Sequence, residues 1–142
     1  MPTVAVLEPA PLLVPRLLAC LPPGPVGLTA NVTDCDLLVV GPGWTGPVPV
    51  PRRVLLTPGR PGQAPMTVSY GPSPRDTITF SSLTPAALVL ALQREVVTLD
   101  GRRLERQELP VPLWRTPADT LAWAGTLLLA GADPGDLMGR AH

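Results

Sequence analysis

At 142 residues, with 45% hydrophobic and 15% charged side chains, the chain is long enough for one domain with a real core and too apolar for a disordered segment. Its eleven basic residues balance eleven acidic ones with no basic block, so the electrostatic footprint of a nucleic-acid binder is missing. All eleven basic residues are Arg, which excludes lysine chemistry such as Schiff bases or a P-loop lysine.

Thr3-Val4-Ala5-Val6-Leu7 is an apolar run suited to a buried first strand. Around it, MPTVAVLEPAP has no charged n-region and carries Glu8 early, so it does not read as a signal peptide, and no apolar run reaches membrane-spanning length. A cytoplasmic protein is the expectation. Pro9 and Pro11 end the strand. Leu13, Leu17, Leu18 and Leu21 then mark a helix over 12–21, with Pro15 in the first turn, where a missing N–H is tolerated. Pro22-Pro23-Gly24 stops it. Short strands follow at 26–29, 37–40 and 54–56, the last two apolar throughout. This β-α-β-β-β pattern predicts a small Rossmann-like half over 1–60, with a mostly parallel sheet. Residues 44–53 are too few for an ordinary helix, so the layer between the third and fourth strands must be thin or irregular.

From 61 to 113 the chain reads as a β-rich half. Strands are expected at 67–70 and 77–80. Residues 84–94 are open to two readings, because Thr84-Pro85 is a helix start while the unbroken run Leu88–Leu92 leads into Glu95-Val96-Val97-Thr98-Leu99. The strand reading is preferred. Asp100-Gly101 signals a type I′ hairpin turn, with Leu104–Leu109 returning antiparallel. C-terminal helices fill 114–142: Thr116-Pro117-Ala118-Asp119 starts a helix to about Ala130, Gly131 ends it, and Asp133-Pro134-Gly135-Asp136 starts a short last one.

Few residues carry chemistry. The only histidine is the terminal His142. Cys20 and Cys35 are too few and too isolated for a metal site or a disulfide framework and read as two buried thiols. Asn31-Val32-Thr33 fits a glycosylation sequon that a cytoplasmic chain does not use. Asp34 and Asp36 flank Cys35 before a strand, where capping competes with a metal or acid-base role. Gly41-Pro42-Gly43 follows a strand but lacks the length of a phosphate-binding loop. Ser69, Tyr70, Gly71, Arg75 and Asp76 form the candidate ligand-binding group, on a constrained loop where Arg75 is placed to meet an anion and Tyr70 to line a pocket. Gln93-Arg94-Glu95 and Glu105-Arg106-Gln107-Glu108 are polar breaks in apolar strands that either pair across the hairpin or form a binding edge. Trp44, Trp114 and Trp123 are core packing or, if exposed, a partner surface.

The stretch from Val54 to Leu137 resembles the end of the central domain of Mur ligases, the ATP-dependent amino-acid ligases of peptidoglycan synthesis. The resemblance rests on Val54-Leu55-Leu56, Ser69-Tyr70-Gly71, Asp76, the hairpin at Asp100-Gly101, Pro110-Val111-Pro112-Leu113, the Ala-rich Ala122-Trp123-Ala124-Gly125 and Gly131-Ala132-Asp133-Pro134. The departures are large. The family's P-loop, catalytic lysine and magnesium-binding glutamate are absent, Trp114-Arg115-Thr116-Pro117 stands where a Gly-x-His-Asn stretch belongs, and the C-terminal amino-acid-binding domain is missing. The resemblance therefore implies a stripped core without nucleotide chemistry, and no catalytic residue carries over.

The expectation is a single α/β domain: a mostly parallel, Rossmann-like sheet extended by an antiparallel β-hairpin, with helices packed on its faces. Its function reads as a non-catalytic module binding a partner protein or small ligand through the 70–76 loop or a hairpin edge, which would also permit a homodimer. The alternative is a small nucleotide- or anion-binding enzyme using loops 41–44 and 70–76. A structural subunit of a larger assembly is the third reading. No cofactor, metal, nucleic-acid or membrane partner is implied.

Overall fold

The computed structural model describes residues 2–21, 26–59 and 64–140. β1 (Thr3–Leu7) leads through α1 (Leu13–Cys20) to β2 (Gly27–Leu28), and β3 (Leu37–Val40), β4 (Val54–Pro58) and β5 (Met66–Tyr70) follow. These five strands are parallel and stand in the order β2-β1-β3-β4-β5. β1 pairs with β2 on one side and β3 on the other, so the chain reverses its travel across the sheet between β1 and β3. In open α/β sheets that reversal leaves a crevice outside the carboxyl ends of the strands, the usual place for a ligand.

β6 (Ile78–Leu83) and β7 (Ala87–Leu92) turn the sheet antiparallel. The chain then leaves it for a separate hairpin, β8 (Val96–Val97) with β9 (Arg103–Leu104), and returns as β10 (Gln107–Pro112) on the outer side of β7. A single bridge, Tyr70 opposite Ile78, joins the parallel and antiparallel parts. β6 thus begins where β5 ends, and the antiparallel wing projects beyond the carboxyl edge of the parallel strands.

Two expectations for the hairpin need correction. Residues 88–99 are not one strand, because the polar residues Gln93-Arg94-Glu95 peel the chain off the sheet and only 96–97 re-pair, with 103–104. The turn is not a two-residue type I′ at Asp100-Gly101 either. Gly101 N–H donates to Thr98 O and Thr98 N–H to Arg102 O, so the loop is Leu99-Asp100-Gly101, and of these only Gly101 has positive φ (86°). That is the three-residue hairpin loop, with its glycine in the left-handed position.

Both helices lie on one face. α2 (Pro117–Leu129) is apolar around its whole circumference, and every residue from Thr120 to Ala130 is buried, as a helix without a polar side requires. Its start follows the expected signal: the Thr116 hydroxyl accepts from Asp119 N–H at 3.1 Å, and Pro117 needs no partner. The sheet approaches so closely at Gly125 that a Cβ there would lie 3.0 Å from Ile78 Cδ1. Leu13 and Leu17 of α1 join the same core, which takes in Val4, Leu37, Val39, Val54, Leu56, Val68 and Ile78. A short 3-10 helix, Pro134–Arg140, packs on β10.

The opposite face holds a smaller core of Ala5, Leu7, Leu38, Val40 and Leu55. No helix covers it among the described residues; Val32, Trp44 and Val48 from the connecting segments do. The thin layer expected between the third and fourth strands is therefore this loop.

β10 is an edge strand whose outward side is blunted. Leu113 N–H donates to Ala86 O, so by the alternation of an antiparallel ladder residues 107, 109 and 111 turn their N–H groups to β7 and residues 108, 110 and 112 turn outward. Two of those three are Pro110 and Pro112, which have no N–H to offer another strand.

Candidate functional site

The crevice between the ends of β1 and β3 is occupied by the chain itself. Glu8, the residue after β1, turns its carboxylate onto the start of α1. Its Oε1 accepts from Leu12 N–H (3.0 Å) and Leu13 N–H (2.8 Å), and its Oε2 from Val14 N–H (3.1 Å). The next residue is Pro15, which has no N–H. All the donors that a helix start would present to a phosphate are thereby accounted for. Across the crevice, Gly41 N–H donates to Leu7 O at 2.7 Å, and a Cβ on Gly41 would meet Glu8 Cβ at 3.2 Å and Leu13 Cδ1 at 3.3 Å. Glycine is needed here for the close approach of its own chain, and no room is made for a ligand. The start of α2 is filled likewise: Asp119 sits in its first turn, bonded by the Thr116 hydroxyl at 2.9 Å and facing Arg115 Nε at 3.5 Å.

The 69–76 group is brought together at the end of β5, where most of its polar atoms face inward. Tyr70 is buried and its hydroxyl donates to Val40 O, tying β5 to the end of β3 across β4. The Ser69 hydroxyl accepts from Thr77 N–H at 3.1 Å. Asp76 is buried and accepts from Ser73 N–H at 3.2 Å. Gly71 has a φ of 159° and lies so near that a Cβ would meet Asp76 Oδ2 at 2.6 Å. Arg75 is exposed and holds Arg94 Nη1 through its backbone carbonyl at 2.9 Å, and its guanidinium is the one charged group of this loop turned to solvent.

Asp34 and Asp36 do not join this group. They precede β3, level with the start of β5, about 13 Å along the strand direction from the end where Asp76 lies. Asp36 Oδ2 accepts from Thr3 N–H at 2.8 Å and pairs with Arg52, which also pairs with Asp34. Burial works against the charged Asp36, but the Thr3 N–H and the Arg52 guanidinium outweigh it and hold its carboxyl below the usual range. Between them, Cys35 is buried, and burial pushes its thiol up, which keeps it protonated and unreactive. Among the described residues no group of three or more His, Cys, Asp or Glu side chains is placed to hold a metal ion; His142 lies outside them. No helix among the described residues is long and apolar enough to cross a membrane.

The tryptophans are mainly structural. Trp123 is fully buried, Trp114 partly, and the Arg16 guanidinium lies over both rings, 4.8 Å and 5.6 Å from their centroids, locking α1 to α2. Trp44 covers the smaller core.

Two other concavities stand apart from the strand ends. An apolar notch of about 370 Å³ is lined by Val6, Val14, Leu18, Leu28, Thr29 and Ala30. A cavity of about 520 Å³ opens on the helix-free face of the wing between Ser81, Ala91, Gln93, Arg106 and Glu108. Sequence reasoning passed over Glu8. The available signal was a carboxylate set directly after an apolar first strand and a few residues before a helix start with no side-chain cap of its own.

No protein-family model matches the chain, and no curated protein or solved structure does either.

Proposed function

We propose that this chain is a non-catalytic cytoplasmic binding module, a reduced counterpart of the later part of the Mur ligase central domain, which engages a partner protein or small ligand outside its strand-end crevice. The observation that carries this reading is the Glu8 carboxylate on the start of α1: the place where a sheet of this order would take a phosphate already holds an anion of the chain's own. Among the described residues, the nucleotide- or anion-binding alternative keeps only Arg75 as an uncommitted cation near the 70–76 loop. Titration with ATP–Mg²⁺ and with inorganic phosphate, followed at the backbone amides by NMR, is expected to leave Leu12, Leu13 and Val14 unmoved. Saturable shifts at those amides in the wild-type protein overturn the reading.

A second arrangement, a partner protein docking on the apolar notch at the opposite edge of the sheet, is favoured by one side chain. Beside the two-residue β2, Leu18 is 67% exposed over that notch. A photoreactive cross-linker at position 18 traps such a partner in cells; the same cross-linker at position 50, on another exposed apolar residue, is the control.

A further inference from the structure

The helix-free face of β6, β7 and β10 carries four polar side chains with no partner among the described residues. Ser81, Gln93, Arg106 and Glu108 border one cavity of about 520 Å³, and none of the four side chains makes a hydrogen bond or ion pair among the described residues. Ser81 stands on the face of Thr79 by strand alternation, and the ladder shifts beside it between Phe80 and Ser82, a bulge that gives β6 one extra residue there. The cavity also takes in the small Ala91, which lies opposite Glu108, and the next pair on this face is Val89 opposite Pro110. Beside it, the Thr79 hydroxyl, opposite Ala91, is buried without a partner.

Arg106 and Glu108 decide what fits. They are two residues apart, so they stand on the same face about 7 Å apart along the chain, and yet they do not pair with each other. A surface presenting one cation and one carboxylate at that spacing is complementary to a copy of itself turned by 180°. If the two-fold axis lies in the interface plane at right angles to β10, it places each Arg106 over the other copy's Glu108. An axis along β10 would instead stack like charges. Edge-to-edge pairing through β10 is closed by Pro110 and Pro112, which leaves the face as the route by which this strand can meet a second molecule. Sheet faces pack about 10 Å apart, a gap that the long Arg and Glu side chains span into the facing cavity.

We propose that this face is a two-fold interface between two copies of the chain, in which Arg106 of each copy pairs with Glu108 of the other. The pairing is isologous, so both charges of both copies are satisfied at once. The proposal rests on the reading that the protein works through its surfaces and not its strand ends. The two fail separately, because NMR at Leu12–Val14 reports nothing about mass and the mass of a complex reports nothing about the crevice.

The test is sedimentation velocity over a concentration series at low ionic strength, where exposed charge pairs are least screened. The wild-type protein is expected to dimerise. R106E and E108R each set like charges against each other twice and are expected to raise the dissociation constant by about tenfold or more. An equimolar mixture of the two variants restores opposite charges at both contacts, as does the double swap R106E/E108R in one chain, and both are expected to dimerise again. Circular dichroism melts confirm that the variants fold. A wild-type chain that stays monomeric throughout the series overturns the proposal, as does a dimer that either single swap leaves intact or a mixture that stays monomeric.

Discussion

The phenol of Tyr70, at the end of β5, donates its proton to the carbonyl of Val40, at the end of β3, passing over β4 between them. This bond closes the carboxyl edge of the parallel sheet and stands at the one bridge from which the antiparallel wing departs. Tyr70→Phe keeps the ring in the core and removes only the donor, leaving a buried carbonyl short of a partner. A loss of about 1–2 kcal/mol in urea unfolding is expected. Because the wing is anchored there, hydrogen exchange of β6 is expected to quicken more than that of β3.

Glu8 gives a prediction with two readouts. Glu8→Ala removes the acceptor for three backbone N–H groups at the start of α1, a loss of about 1–2 kcal/mol. The same change exposes those donors. Inorganic phosphate or sulfate is therefore expected to raise the melting temperature of the variant more than that of the wild type, once matched sodium chloride has accounted for ionic strength. Equal effects on both proteins would mean that the carboxylate is not what closes the crevice.

Gly125→Ala is expected to destabilise although alanine is the better helix former. The gain in propensity is about 1 kcal/mol. Against it, the new Cβ would lie 3.0 Å from Ile78 Cδ1 and 3.3 Å from Leu56 Cδ2, both side chains buried in the main core. Overpacking of this kind costs about 1–3 kcal/mol, so a net lowering of the melting temperature is the outcome to look for. A rise would show that the sheet and α2 can separate slightly at little cost.

Two carboxyls contribute to the acid limb of the stability curve. The Thr98 hydroxyl, with Arg102 beside it, holds Asp100 below the usual carboxylate range, and the Thr3 N–H and Arg52 do the same for Asp36 against the opposing effect of burial. A depressed folded pKa adds stability that is fully present above the unfolded value of about 3.9 and is lost as pH falls through the lower folded value. Thermal stability is thus expected to hold down to about pH 4 and to fall below it. Asp36→Asn and Asp100→Asn should each be less stable at neutral pH and lose less on acidification.

What the chain's own letters revealed follows from how local each signal is. The apolar runs of β1, β3 and β4 and the Thr116-Pro117 start of α2 are carried by consecutive residues, and they form where expected. The long first arm of the hairpin did not form as expected. Val96 and Val97 have strand propensity, but whether they stay in the sheet depends on the hairpin's fit against the end of α2. There Leu99 N–H donates to Leu129 O, and Arg102 reaches Gly131 O. The 69–76 loop reads as a concentration of polar side chains, yet their direction is not readable from the letters, because the Tyr70 hydroxyl finds its acceptor thirty residues away. Glu8 is the sharpest case. Its carboxylate acts on a helix only four to six residues further on, but the sequence could not say that the strand end and the helix start would lie side by side.

The burial of α2 has a consequence for how the protein is made. This helix follows the ten strands of the described residues, and it supplies most of the cover for the sheet's larger apolar face. A ribosome therefore releases the whole sheet before residues 117–129 emerge to shield it. During that interval the nascent chain shows water a broad greasy surface, with only the prolines of its outer strand to discourage sticking to neighbours. Chaperone demand during synthesis should accordingly peak just before α2 appears and drop sharply once it docks.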